Sequence, residues 1–181
     1  MGGFGTRLSS IINDVPKPLA PIDGKPFLEY QLAEIRKYFN DSKIYLLTHH
    51  LSDKIETYYS DNNKIKIIRE DVPLGTGGAI KNAIKVLGLN NKDDLLILNG
   101  DTYMKPDLHQ FINNSSYDIN ILCMRQEQCE RSSTVLIEDN KIKEFSKQGK
   151  RKKDSYISMG CYYIKDSNFI IHNKNKSFMI E

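Results

Sequence analysis

Apolar positions along the chain follow two spacings, one typical of helices and one typical of strands. Leu28, Leu32 and Ile35 recur at about 3.6 residues, so they line one face of a helix that we predict over residues 27–39. Apolar runs rich in β-branched residues predict strands, and helix-period segments separate them. The predicted strands are 43–48, 65–68 and 94–98, and the other predicted helices are 52–59 and 77–87. This alternation predicts an α/β protein with a parallel sheet.

The run 94–98 is apolar on both faces, as expected for a central parallel strand, and it ends at Asn99-Gly100-Asp101. Beyond it the pattern changes to strand-like runs with only short helical stretches between them. These runs are 119–124, 134–137, 142–145 and 156–164, and residues 138–140 predict a hairpin turn between two of them. Because no low-complexity linker or internal repeat interrupts the chain, we predict one domain over residues 1–181, with halves at 1–105 and 106–181.

Composition excludes several classes of protein. The 181 residues are 39% hydrophobic and 27% charged, with a formal net charge of +3. No apolar stretch approaches the ~18 residues of a membrane span, and the first residues do not resemble a secretory signal, so we expect a cytoplasmic protein. Cys123, Cys129 and Cys161 lack C-x-x-C spacing, which argues against a disulfide framework or a zinc site. The basic cluster 150–153 is isolated, so nucleic-acid binding has little support.

A glycine-rich segment, GGFGTRL, occupies residues 2–8, and Pro16-Lys17-Pro18 follows it. Glycines let backbone N–H groups approach phosphate oxygens, while Arg7 and Lys17 add positive charge for the same oxygens. The pattern therefore predicts a triphosphate cradle. It is neither the dinucleotide fingerprint nor the P-loop, and the alternative is a glycine-rich turn with a solvated arginine.

A second motif, PLGTGGA, covers residues 73–79 between a predicted strand and a predicted helix. A loop with so little side chain lets a flat base or ribose lie against its backbone, and the backbone can then hydrogen-bond to the base edge. The alternative is a tight strand-to-helix turn without a ligand.

Asp101 follows the predicted central strand directly. Ligands of open α/β sheets bind outside the carboxyl ends of the strands, and a carboxylate there can hold Mg²⁺ against phosphate oxygens. The alternative is a turn-forming or helix-capping aspartate.

The three motifs in this order resemble the sugar-1-phosphate nucleotidyltransferases, also called nucleotide-sugar pyrophosphorylases, and most of all their heptose- and mannose-1-phosphate guanylyltransferase branch. The resemblance implies a Rossmann-like nucleotide-binding fold, with a mixed, mostly parallel sheet flanked by helices, and a C-terminal half that binds the sugar. It implies that Arg7, Lys17 and Asp101 are catalytic, with Asp101 ligating Mg²⁺. The implied nucleotide-binding residues are Gly2, Gly3, Gly5, Thr6, Leu74, Gly75 and Gly78.

The sugar side departs from the family pattern. Phe145-Ser146-Lys147-Gln148 stands where the family has Phe-x-Glu-Lys, so the sugar-contacting amine that the resemblance implies either comes from Lys147 at a shifted position or is lost. Ser158 replaces the asparagine of Asn-x-Gly, which leaves Gly160 as the second implied sugar-binding residue. His49 and His50 match a loop of the family and are expected to shape that loop. We also expect the family's first strand and its second metal-binding aspartate to lie outside residues 1–181.

The function expected from the resemblance is transfer of a nucleotidyl group from a triphosphate, with GTP as first choice, to a heptose or hexose 1-phosphate. Mg²⁺ is the expected cofactor, no nucleic acid or membrane partner is expected, and a homo-oligomer is one alternative for the assembly. Two other functions stay open: a glycosyltransferase that uses a finished nucleotide sugar, and an inactive, truncated family member that only binds nucleotide. Release of pyrophosphate would separate the three.

Overall fold

The computed structural model describes residues 15–125, 134–146 and 156–180. Within these residues the helices are α1 (Phe27–Arg36), α2 (Ser52–Tyr58), α3 (Gly75–Leu87), α4 (Leu108–Asn113) and α5 (Asn168–Ile171). The strands are β1 (Pro21–Ile22), β2 (Lys25–Pro26), β3 (Ile44–Thr48), β4 (Ile65–Arg69), β5 (Leu95–Leu98), β6 (Ile119–Arg125), β7 (Thr134–Glu138), β8 (Lys141–Ser146) and β9 (Tyr156–Ile164). Helices and strands alternate from α1 to β5, so the predicted α/β class is confirmed.

β3 and β4 form a parallel pair in which Ile44 lies opposite Ile65. Helix α2 connects them, so the three elements make one βαβ unit. Apolar side chains from this unit pack with those of α1 and of Leu19, which belongs to a short 3-10 helix, Lys17–Leu19. The buried members of this core are Leu19, Leu28, Leu32, Leu46, Ile55, Tyr59 and Ile65. The backbone beside Lys17 is thereby anchored in the protein interior.

β9 lies between β5 and β6 and pairs antiparallel with both, so that Ile164 is opposite Leu95 on one side and Ile119 on the other. β7 pairs with β9 and with β8, also antiparallel. The strand pairings are therefore mixed, but among the described strands the parallel pairing is confined to β3 and β4. The apolar run of β5 predicts an internal strand but not the direction of its neighbours, because an internal strand is covered on both faces whichever way its neighbours run.

A second core joins the two groups of strands. Ile80 and Ile84 of α3 pack with Ile164 of β9 and Ile170 of α5. Leu47 of β3 and Leu95 and Ile97 of β5 pack against the same cluster. This shared core packs the two groups of strands against each other, and the division of the domain into two halves stays a prediction.

The turn between β7 and β8 has the hairpin geometry that the sequence predicts. Asp139 and Asn140 have φ values of 51° and 58°, the left-handed conformations of a type I′ turn, which asparagine and aspartate tolerate best after glycine. No helix in the described ranges is long and apolar enough to cross a membrane.

Candidate active site

Two of the predicted catalytic residues meet in the structure although they lie 84 positions apart in the sequence. The Nζ atom of Lys17 donates a hydrogen bond to Oδ2 of Asp101 at 2.6 Å. Both side chains remain partly exposed, at 41% for Lys17 and 46% for Asp101. The structure therefore brings an ammonium group and a carboxylate together at a surface that a ligand can reach.

The backbone on each side of Lys17 fixes where its side chain starts. Pro16 and Pro18 restrict φ next to the lysine, and the N–H of Leu19 donates to the carbonyl of Pro16 at 2.7 Å. Pro18 and Leu19 are buried, while Lys17 itself faces solvent. The short helix therefore fixes the backbone of Lys17, and the amine extends outward to Asp101.

The turn that carries Asp101 is held from two sides through Asn99. The N–H of Asn99 donates to the carbonyl of Gly160 in β9 at 2.7 Å, and Nε2 of Gln31 in α1 donates to the carbonyl of Asn99 at the same distance. Gly160 has φ of +65°, and a Cβ there would lie 2.3 Å from Nδ2 of Asn99. The structure therefore places Gly160, a predicted sugar-binding residue, beside the turn of Asp101.

Gln31 was not found by sequence reasoning. It is only 3% exposed and lies between Leu28 and Leu32 on the apolar face of α1. A glutamine among core positions of a helix needs hydrogen-bond partners, so its position alone could have drawn attention to it. Its partner, a carbonyl at the end of β5, could not be derived from the sequence.

The loop predicted to bind the nucleoside lies at the start of α3. The N–H of Leu74 donates to Oε2 of Glu70 at 3.1 Å, and the carbonyl of Leu74 accepts from the N–H of Phe178 at 3.0 Å. The carbonyl of Phe178 in turn accepts from the N–H groups of Gly77 and Gly78 at 3.0 and 3.3 Å. Leu74, Gly75 and Gly78 are therefore in contact with, or next to, a segment near the C-terminal end of the described residues.

Glu70 is 5% exposed and belongs to the same loop structure. Its backbone carbonyl lies 2.9 Å from Nδ1 of His49, and Ser52 Oγ donates to the carbonyl of His49 at 2.8 Å. These contacts support the expectation that His49 shapes a loop. Sequence reasoning missed Glu70 because nothing in its local pattern distinguishes it from a solvated acid.

The remaining predicted site residues lie outside the described residues. They are Gly2, Gly3, Gly5, Thr6, Arg7 and Lys147. Their roles stay predictions.

The pair of Lys17 and Asp101 offers more to a ligand than to the stability of the fold. Exposed ion pairs contribute only ~0–1 kcal/mol to stability, because water and salt screen them. An ammonium group can neutralise a phosphate, and a carboxylate oxygen is a preferred ligand of hard divalent cations. Together, the two groups supply a cation for phosphate oxygens and an anionic ligand for a metal ion, as a phosphate-binding site needs.

A family model described as "Nucleotidyl transferase" matches residues 1–178 of this sequence. The chain belongs to the nucleotidyl transferase family. It is 33% identical to the D-glycero-alpha-D-manno-heptose 1-phosphate guanylyltransferase of Aneurinibacillus thermoaerophilus, a match that covers 100% of this chain and 79% of the relative. The enzyme of the same name from Campylobacter jejuni is 36% identical, over 90% of this chain and 72% of the relative.

The crystal structure of HddC from Yersinia pseudotuberculosis superposes with a TM-score of 0.84 at 32% identity, covering 99% of this chain and 80% of that one. A second HddC structure, in complex with GMP-PN, gives a TM-score of 0.82. The α/β fold and the nucleotidyl transferase assignment inferred from the motifs are thereby confirmed.

Nucleotidyl transferases of this family generally use a divalent metal ion. Within the described part of the chain, no group of three or more histidine, cysteine, aspartate or glutamate side chains could hold one. The exposed carboxylate of Asp101 nevertheless fits the usual arrangement for Mg²⁺, in which one or two carboxylates and the phosphates of the substrate share the ion.

Proposed function

We propose that this nucleotidyl transferase moves a guanylyl group from GTP to the 1-phosphate of a heptose or hexose and releases pyrophosphate. The observation that carries the proposal is the contact of Lys17 with Asp101 at the carboxyl end of β5. The choice of GTP and of a heptose is supported by the names of the two guanylyltransferases and by the GMP-PN complex of HddC.

In the proposed reaction, an oxygen of the sugar 1-phosphate attacks the α-phosphorus of GTP in line with the bond to the β-phosphate. A P–O bond forms between the sugar phosphate and the α-phosphorus. The bond between the α-phosphorus and the oxygen that bridges to the β-phosphate breaks, and pyrophosphate leaves with the bonding electrons. No protein nucleophile is needed, since such transfers depend on positioning and charge neutralisation. Residues of the chain therefore act by holding the two phosphates together.

Each predicted residue has a role in this scheme. Lys17 neutralises the phosphates that approach each other, and Arg7 with the glycine segment 2–8 cradles the triphosphate. Asp101 holds Mg²⁺, which supplies charge stabilisation to the phosphate oxygens when bound. The loop at 74–78 contacts the nucleoside, and Lys147 and Gly160 contact the sugar. We also propose that the protein is cytoplasmic.

The direct test is a pyrophosphate-release assay with each of the four nucleoside triphosphates, Mg²⁺ and a panel of heptose and hexose 1-phosphates. We expect release with GTP, dependent on the sugar phosphate, at a turnover in the usual range of ~1–10³ s⁻¹. Release with another triphosphate would change the proposed base. No release with any pair from a folded sample would contradict the proposed transfer, and binding without turnover would favour the inactive relative.

A further inference from the structure

Residues 176–180 run across the start of α3 and make three backbone–backbone hydrogen bonds and one backbone–side-chain hydrogen bond with this region. The N–H of Phe178 donates to the carbonyl of Leu74, and the carbonyl of Phe178 accepts from Gly77 and Gly78. Two residues later, the N–H of Ile180 donates to Oγ1 of Thr76 at 3.2 Å. The first-turn N–H groups of a helix ordinarily lack partners within the helix, and here a distant part of the same chain supplies one carbonyl to two of them.

The glycines of this loop are required by the same contact. A Cβ at Gly77 would lie 2.3 Å from Cε2 of the Phe178 ring, and a Cβ at Gly75 would lie 2.6 Å from the Phe178 carbonyl oxygen. A Cβ at Gly78 would lie 2.7 Å from the carbonyl oxygen of Lys176. All three distances are shorter than Cβ atoms show in real contacts, so a larger residue at any of these positions would force the loop or the segment to shift.

Glu70 holds the opposite side of the loop. Its carboxylate accepts from the N–H of Leu74, whose carbonyl accepts from Phe178, so both polar groups of the Leu74 backbone are engaged within the protein. Leu74, Gly77 and Gly78 are buried, whereas Gly75 and Thr76 are partly exposed. A ligand that binds at this loop therefore contacts a backbone whose conformation is already fixed. Its first contacts are with the partly exposed residues Gly75 and Thr76.

We infer that Phe178 is a positioning residue for nucleoside binding: its carbonyl and its ring lock the loop 74–78 into the conformation that the base and ribose encounter. The inference rests on the proposed function, because it takes this loop as the nucleoside-binding loop. It assigns the small size of Gly77 and Gly78 to the packing of the chain's own C-terminal segment. Their N–H groups then serve the fold and are not donors to a phosphate.

A double-mutant cycle tests this assignment in the 181-residue chain. The variants are Gly77→Ala, Phe178→Ala and the two together, and the measured quantity is the Kd of GTP with Mg²⁺, by calorimetry. We expect Gly77→Ala alone to weaken GTP at least ~10-fold and to add less than ~3-fold once the Phe178 ring is gone, since contacting residues couple. Equal effects in both backgrounds would overturn the inference, because the methyl group would then be clashing with the nucleotide itself.

Steady-state kinetics separate positioning from general destabilisation. For Phe178→Ala we expect KM for GTP to rise ~10-fold while KM for the sugar 1-phosphate stays within ~2-fold, because only the nucleoside loop is loosened. Phe178→Leu, which keeps an apolar side chain over Gly77, should recover most of the loss. Phe169→Ala, which truncates a phenylalanine that is 43% exposed on α5, is the matched control and should leave both KM values unchanged.

The outcomes distinguish the two proposals. A fall in kcat alone, with both KM values unchanged in Phe178→Ala, means a smaller active fraction and overturns the positioning role. If Gly77→Ala does not fold, Phe178→Leu and Phe178→Ala still decide by their KM for GTP. Failure of the unmodified, folded protein to bind GTP overturns the proposed function together with this inference, whereas normal GTP binding with additive effects overturns the inference alone.

Discussion

Lys17 illustrates how a residue can matter for chemistry while contributing little to stability. Its ion pair with Asp101 is solvent-exposed on both sides, so its loss should cost ~0–1 kcal/mol. We predict that Lys17→Met lowers kcat at least ~100-fold, the scale of removing one preorganised charge from a transferring phosphate. Thermal melting should change little.

The matched control for Lys17 is Lys92→Met. Lys92 is 73% exposed and pairs with Asp166 at 2.9 Å, away from the predicted site. Lys17→Met should lose pyrophosphate release while its melting curve changes little. Lys92→Met should change neither pyrophosphate release nor the melting curve. A Lys17→Met enzyme that kept more than half of the normal rate would remove the lysine from the mechanism.

Asp101 should control the metal dependence. We predict that EDTA abolishes turnover and that Asp101→Asn lowers kcat while raising the Mg²⁺ concentration needed for half-maximal rate at least ~10-fold, because a hard cation needs an anionic oxygen. Asp41→Asn is the control, since Asp41 is 91% exposed and pairs with Lys64. A titration of rate against Mg²⁺ measures the shift, and turnover unaffected by EDTA would show that the assignment is wrong.

Two groups on β9 should make the folded protein sensitive to alkali. Burial raises the pKa of Cys161 to about 12 from 9.0, and the hydrogen bond from Tyr163 to Asp94 raises the pKa of Tyr163 to about 12 from 10.0. In both cases the folded state keeps a proton that the unfolded chain releases first. Their contribution to stability is therefore complete below about pH 9 and is lost as pH rises toward about 12.

Urea unfolding between pH 8 and 11 tests this sign. The free energy of unfolding should fall with pH, and the fall above pH 10 should be shallower in Tyr163→Phe, which has no phenol to titrate. Tyr45→Phe, at a tyrosine that is 39% exposed, is the control. Identical slopes in the Tyr163 variant and the unmodified protein would contradict the prediction.

At the scale of elements, β9 depends on one glycine. Gly160→Ala would place a methyl group 2.3 Å from the Asn99 amide in a left-handed backbone conformation. We predict a loss of stability of ~1–3 kcal/mol and a fall in kcat, because the turn that carries Asp101 must move. Gly24→Ala is the control: its φ is +75°, but nothing lies within 4 Å of the added methyl.

Denaturant unfolding and pyrophosphate release would separate the two parts of the Gly160 effect. Gly24→Ala reports the backbone strain alone, so any excess loss in Gly160→Ala measures the contact with Asn99. If both variants lost the same stability and kept the same kcat, β9 would have no role in positioning Asp101.

The elements show what a single sequence can and cannot specify. The run predicted over 156–164 ends with β9 at Ile164, because strong aromatic and β-branched content continues to that residue. Helix α1 ends at Arg36, three residues before its predicted end at Phe39. The Arg36 side chain donates to the carbonyls of Phe39 and Asn40, while Phe39 still packs in a core cluster, so the apolar period continued past the helix.

The start of α3 was predicted two residues late, at Gly77. Helix α3 begins at Gly75, where φ is +68°, and the carbonyl of Phe178 caps its first turn. Glycines argue against a helical interior when only propensity is considered. The partner that makes the early start favourable lies too far along the chain for any local pattern to show it.

At the scale of the molecule, the candidate site depends on contacts between distant segments. Motif spacing and the family resemblance were sufficient to name Lys17 and Asp101, whose side chains meet. Gln31 and Phe178 were not named as supporting residues, since each hydrogen-bonds a backbone group of a distant segment. Glu70 was not named because its partner is the backbone N–H of Leu74, which its local pattern does not indicate. Family motifs thus name the candidate groups for substrate binding, and tertiary structure is needed to find the residues that hold those groups in place.

The carbonyl of Phe178 also has a consequence for measurements of local motion. Amide hydrogens at the first turn of a helix usually exchange with solvent quickly, because no intrahelical carbonyl protects them. Gly77 and Gly78 donate to Phe178, so their exchange requires the 176–180 segment to separate from α3. Deuterium uptake at these two positions would therefore report the opening of the 176–180 segment from α3, even in the absence of any nucleotide.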